Sequence, residues 1–180
     1  MTRRNRDLML LSVQIVLVVS IAAKYVYERR VYPRVWVRTS PVDLSLPLRG
    51  RYLALSLAVN ACSLPKDKAQ FMNGYQTTPG FWRWRVKPEA IASKLVPTLA
   101  KDTTRPEDTQ DLTLWQNQTC DHATLSDLAD YFIGDQAKSP FPLKPGQELW
   151  VEVTVPPSGP PRPIQLALKN GSDFKPLRFE

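Results

Sequence analysis

The sequence predicts a mainly β body, a small barrel or sandwich of six to eight short strands with one or two short helices, preceded by a single transmembrane helix. Three observations predict it. One apolar run near the N-terminus is long enough to cross a bilayer, and nothing else in the chain is as apolar. Several short stretches after it alternate apolar and polar residues with period two. Prolines, seventeen in all, separate those stretches.

The apolar run occupies residues 8–23, in which only Ser12, Gln14 and Ser20 are polar. As a helix those residues reach about 24 Å, short of the roughly 30 Å hydrocarbon core. Extension to residue 27 reaches about 30 Å and sets Lys24 to snorkel, with Tyr25 and Tyr27 at headgroup depth. A cleaved signal peptide is the competing reading, because Arg3, Arg4 and Arg6 form a basic start and Ser20-Ile21-Ala22 is a small-x-small site. A buried core helix is the third. Lys24 and bulky Tyr25 directly after the cleavage point favour retention, so the expected division is a basic segment and anchor over 1–30 and a β-rich extracytoplasmic domain over 31–180. Arg3, Arg4 and Arg6 favour a cytoplasmic N-terminus; Lys24, Arg29, Arg30, Arg34 and Arg38 lean the other way, but long bodies translocate largely regardless of charge. The expected topology is single-pass, with the N-terminus cytoplasmic and the body outside.

The net charge of +7 resembles a nucleic-acid signal until it is divided along the chain. Residues 1–38 carry eight Lys/Arg against two Asp/Glu, whereas residues 39–180 carry sixteen against fifteen. A phosphate-binding domain needs a basic face on its folded body, so the expected partner is the lipid bilayer and not nucleic acid. Two cysteines and one histidine build neither a zinc site nor a multi-disulfide scaffold.

Along the body, residues 35–38 (VWVR) are β-rich. Residues 51–61 place Leu53, Leu55, Leu57 and Val59 on one face. Residues 81–87 put Trp82, Trp84 and Val86 opposite Arg83, Arg85 and Lys87; the tryptophans read as core, with a stacking surface for a partner as the alternative. Residues 88–94 are open between a short helix with proline in its first turn and a strand running on to Leu99. Residues 124–132 read as a helix, because Leu125, Leu128, Ala129 and Phe132 fall at i, i+3, i+4 and i+7 behind a Thr124 or Ser126 cap. Residues 149–155 form the clearest strand, with Leu149, Val151, Val153 and Val155 inward. A proline-rich stiff loop follows over 156–163, then a strand through Ile164, Leu166 and Leu168, and a last one over 177–179.

Thr39-Ser40-Pro41-Val42-Asp43, followed by Leu48-Arg49-Gly50-Arg51-Tyr52-Leu53-Ala54-Leu55, resembles the GDYXXLXY family of bacterial membrane-anchored proteins. Pro41, Val42, Asp43, Arg49, Gly50, Tyr52 and Leu55 are the family-motif positions, and Tyr131-Phe132 followed by the 149–155 strand agrees with the family's later part. Arg51 replaces the family's Asp and Leu57 its second Tyr, so any role of that acid is absent. What survives is a Gly-x-Tyr entry into a strand. The resemblance implies an exported, inner-membrane-tethered domain, periplasmic or extracellular, of a kind found with multi-pass membrane proteins. It implies no reaction.

Chemistry is sparse. His122 beside Asp121, with Ser126 and Asp127 near in sequence, has the residue types of a nucleophile triad but no nucleophile motif around it. Residues 48–55 faintly resemble a strand of signal-peptidase-like enzymes, yet no Ser-x-Met segment supplies their serine. Asp121, Asp127, Asp130 and Asp135 lack calcium-loop spacing. Asn117-Gln118-Thr119 is a three-residue sequon match of the sort chance supplies. No catalytic, cofactor or metal residue is therefore assigned. Cys62 and Cys120 stand at element ends and pair in an oxidising compartment, closing a loop of close to sixty residues, or remain two buried thiols; spacing does not choose. The expected function is a membrane-tethered accessory or interaction domain of the envelope, the alternative a tethered hydrolase with a non-contiguous site.

Overall fold

Residues 3–43, 52–74, 78–133 and 143–177 are described by the structure, a computed structural model. Chain contacts divide it into two compact units, Met1–Tyr32 and Pro33–Glu180.

The first unit is one helix, α1 (Arg3–Val31), four residues longer at its C-terminal end than the expected span. Its segment Asp7–Val31 is long and apolar enough to cross a membrane. The apolar side chains along it, Leu8 to Val31, are exposed all round, as suits a lipid solvent. Both serines in the run bond locally: the Ser12 and Ser20 hydroxyls donate to the carbonyls of Leu8 and Leu17, both at 2.8 Å. Lys24 pairs with Glu28 one turn on, at 3.9 Å.

The second unit is mainly β. Its strands are β1 (Arg34–Asp43), β2 (Tyr52–Val59), β3 (Gln70–Met72), β4 (Phe81–Ile91), β5 (Lys94–Leu99), β6 (Gln110–Trp115), β7 (Ala123–Leu125), β8 (Ala129–Phe132), β9 (Gln147–Thr154), β10 (Arg162–Asn170) and β11 (Asp173–Pro176). Eleven strands among the described residues exceed the expected six to eight because several have only three or four residues, too few to show a period. Among the described residues the body's helical elements are single 3₁₀ turns at Lys66–Lys68, Pro106–Asp108 and Cys120–His122, none of them at a position where a short helix was expected.

The strands form an open antiparallel sheet running from β11 to β3, and β2 is its shared member. One edge of β2 pairs with β1. The other pairs with β8 at Tyr52–Leu55 and with β7 at Ala58–Val59. Through β1 the sheet continues to β9, β10 and β11; through β7 it continues to β6 and β4, whose far edge carries β3 and β5. The sheet curls, so that β5 returns beside β1 and β8 comes close to β10. Both register shifts within the β1–β2 and β9–β10 ladders fall at a proline, Pro41 and Pro163, where a missing N–H cannot sustain the ladder.

The core lies inside the curl. Leu53, Leu55, Leu57 and Val59 from β2 meet Val35 and Val37 from β1, Leu149, Val151 and Val153 from β9, and Leu166 from β10, none more than 5% exposed. Each such side chain contributes roughly 1.5–3 kcal/mol by leaving water. Trp84 and Val86 complete it from β4, with Trp82 half-buried against them, and the Trp84 indole N–H donates to the Pro65 carbonyl at 3.0 Å. Arg83 and Arg85 take the outer face, where both reach Asp111, at 3.4 and 3.2 Å. The tryptophan alternation therefore builds core.

Two expectations are corrected or resolved. Residues 124–132 are not a helix: they hold β7, a bend and β8, and the residues buried are Ala123, Leu125, Ala129 and Ile133, while Leu128 and Phe132 are 45% and 58% exposed. The helical spacing arose from two short strands read across a bend; pairing to β2 and β6 outweighs it. Residues 88–94 are not a helix: they hold the end of β4, a two-residue turn at Ala92-Ser93 and the start of β5, which runs on to Leu99. Pro88 faces Pro97 across the β4–β5 hairpin, a pair that needs no N–H from either residue, and β4 has already left its β6 partner at Val86. The last strand is β11, earlier than the expected 177–179; residues 178–180 lie outside the described residues.

Candidate functional site

The family-motif positions sit around the β1–β2 connection. Pro41, Val42 and Asp43 end β1, Tyr52 opens β2, and Asp43 is in register with Ala54. Val42 is 56% exposed and Leu55 fully buried. Arg49 and Gly50 lie outside the described residues, as does Asp135. Among the positions described, Leu55 has a core role, and no titratable cluster forms around it.

Cys62 and Cys120 are joined by a disulfide, their Cα atoms 4.9 Å apart. The bridge fastens the chain leaving β2 to the 3₁₀ turn that precedes β7, and the Ala61 N–H donates to the Cys120 carbonyl at 2.8 Å beside it.

His122 lies in that same turn, and the structure does not bring Ser126 to it. The Ser126 hydroxyl donates to the Asp111 carbonyl at 2.9 Å. The His122 Nε2 instead faces the Arg38 guanidinium. Because Arg only donates, Nε2 is the acceptor and the ring proton sits on Nδ1, 2.8 Å from the Thr119 hydroxyl and 3.3 Å from Asp121 Oδ1. Thr119 in turn hydrogen-bonds Asp121 and, with the smaller effect of His122, holds its carboxyl below the usual range. The lone pair that a base needs is committed to Arg38, which also reaches Glu148 at 3.6 Å. The arrangement pins β1 and β9 to the turn. No group of three or more His, Cys, Asp or Glu among the described residues could hold a metal ion.

Two features had no signal in the sequence. The first is a clamp on the proline-rich loop. Asp108, 8% exposed, accepts the Ser158 hydroxyl at 2.7 Å and the Gly159 N–H at 3.0 Å, and Arg105 Nε approaches it at 3.2 Å. These donors, Ser158 foremost, lower its pKa against the opposing effect of burial. Gly159 has φ +87, a conformation that suits glycine alone. Beside the clamp opens a polar cleft of about 380 Å³, lined by Lys87, Glu89, Thr98, Lys101, Thr104 and Arg105. Glu89 is already engaged by Lys87 at 3.5 Å and by the Thr98 hydroxyl at 3.0 Å.

The second is an aromatic cluster on the outer face of β1, β9, β10 and β11. Trp36 meets Phe174 edge-on at 4.8 Å, Trp150 lies 6.3 Å from Phe174, and Lys169 Nζ stands over the Trp150 ring, 5.2 Å from its centroid. Register rows Arg34–Thr154–Arg162, Trp36–Glu152–Gln165 and Arg38–Trp150–Ala167 place them on one side of the pleat, with Glu148–Lys169–Phe174 as the fourth row. Alternation alone put Trp150 outward; only the ladder shows that Trp36 and Phe174 join it.

No family model matches the chain, and neither a curated protein nor a solved structure does.

Proposed function

We propose that the chain is a single-pass, membrane-tethered domain displayed on the outer side of a bacterial inner membrane, with its N-terminus cytoplasmic, and that it serves the envelope as an accessory or interaction module beside a multi-pass membrane protein. The observation that carries this reading is the Cys62–Cys120 disulfide in a body attached to a helix long enough to span a bilayer. Disulfides persist in oxidising compartments, and the cytosol keeps such thiols reduced. The resemblance of residues 39–55 to the GDYXXLXY family supports the same reading. So do the His122 and Asp108 groups, whose polar atoms serve to fasten loops to strands.

The test is made on the full chain in native membranes. Thiol alkylation of denatured, unreduced protein is expected to label neither cysteine, and protease added to spheroplasts is expected to remove the body and spare α1. Two alkylated cysteines, or a body protected in intact spheroplasts, would overturn the topology. Cross-linking before solubilisation is then expected to retain a multi-pass partner.

A further inference from the structure

We infer that the outer aromatic face of β1, β9, β10 and β11 is a second lipid contact, lying on the headgroup region of the bilayer that α1 crosses. The inference rests on the tethered reading above and goes beyond it, because the anchor alone leaves the body free of the lipid surface.

The face has the chemistry of an interfacial belt. Trp36 and Trp150 are half-buried, Phe174 is 39% exposed, and Lys169 stacks on Trp150. Indole rings with an adjacent cation favour the depth at which acyl chain gives way to headgroup. Around the rings, Arg34, Arg38, Arg162 and Lys169 stand against Glu148 and Glu152, a cationic balance that complements anionic lipid. Reach is assured by the chain itself. Trp36 is five peptide units beyond Val31, so the chain holds it within about 18 Å of the end of α1. Ladder pairing carries Trp150 alongside, since Trp150 is in register with Arg38 on the same strand.

The decisive residue is Trp150. Trp36 is near lipid by connectivity alone, whereas Trp150 reaches it only if the face lies down. All five tryptophans, at 36, 82, 84, 115 and 150, are outside α1, so intrinsic fluorescence reports the body. The full chain is reconstituted into phosphatidylglycerol–phosphatidylcholine vesicles with acyl chains brominated near the headgroup end. Brominated lipid is expected to quench the emission, and Trp150→Phe to cut the quenched fraction roughly twofold, two interfacial rings sharing it. Trp115→Phe, on the sheet's other half, is expected to leave quenching by lipid unchanged. Near-ultraviolet circular dichroism confirms that each variant is folded. Flotation separates the two readings. A chain that fails to float with the vesicles overturns the anchor. A chain that floats but loses no quenching on Trp150→Phe overturns the lipid face alone and leaves it as a protein-facing surface or a closed aromatic cluster.

Discussion

Trp36 and Phe174 touch edge to face with ring centres 4.8 Å apart, although two whole strands, β9 and β10, lie between their backbones. Three ladder spacings amount to about 14 Å, and the rings bridge the gap because Ala167, beneath them on β10, has no bulk of its own and is fully buried. The cluster thus fastens the edge strand β11 from outside.

Phe174→Ala should release that strand without harming the core. The Leu177 N–H, which donates to the Leu166 carbonyl at 2.7 Å, should exchange with deuterium at least tenfold faster, while amides of β2 and β9 keep their native protection. An equal acceleration in β2 would show that β11 belongs to the cooperative core.

Asp108 gives a pH dependence of known sign. The Ser158 hydroxyl and the Gly159 N–H hold its carboxyl below the usual carboxylate range in the fold. The clamp's contribution is therefore complete above the unfolded pKa and lost as pH falls through the folded one. The melting temperature of Asp108→Asn should fall below the native one near neutrality, and the gap should close as pH falls through that lowered pKa. A gap that persists unchanged in acid would assign the effect to packing instead of charge.

The Cys62–Cys120 bridge closes a loop with a sequence separation of 58. Chain-entropy estimates put its contribution at about 4 kcal/mol. Reduction, or the Cys62→Ser/Cys120→Ser pair, should lower the denaturation midpoint accordingly. A midpoint unmoved by reductant would show that the reduced chain keeps the same restriction when unfolded.

The β4–β5 hairpin carries a local strain that substitution can relieve. Ala92 and Ser93, its two loop residues, both have positive φ, 47° and 60°. Such a turn favours Asn-Gly, and a left-handed non-glycine residue costs about 1–2 kcal/mol. Ala92→Asn/Ser93→Gly should therefore raise stability by roughly 1 kcal/mol, a gain of about 2–4 °C in Tm for a body of this size.

Leu55, fully buried on β2, is in register with Pro41 and with Ala129. Leu55→Ala should cost about 2–5 kcal/mol, and Leu55→Asp more, since it buries an unpaired charge. Urea unfolding followed by tryptophan emission measures both. Native-like midpoints would mean that Leu55 is not in the core.

What was legible in the sequence was what repeats over six or more residues. β2, β4 and β9 alternate long enough for Leu53, Trp84 and Val151 to be assigned inward, and α1 declares itself by length. Strands β3, β7 and β8 hold three or four residues, too few to show a period, and β7 and β8 take their conformation from β2, more than sixty residues away. Residues 124–132 show the result: a helical spacing that two strand pairings outweigh. The site features were less legible still. Asp108 meets Ser158 across fifty residues, and Trp36 meets Phe174 across more than a hundred; neither distance leaves a local pattern.

The pairing of β1 fixes an order of events. Its first partner, β2, follows within a few residues, but its other edge belongs to β9, and Val35 must wait for Val153. As synthesis delivers the chain from its N-terminus, the first strand to appear is the one whose second flank is covered among the last. Until residue 154 has emerged, the second edge of β1 offers bare hydrogen-bonding groups with no strand to pair them. A chaperone or a membrane partner that shields this edge would act during those seconds of delivery, and a ribosome stalled before residue 147 would present it as a fixed target.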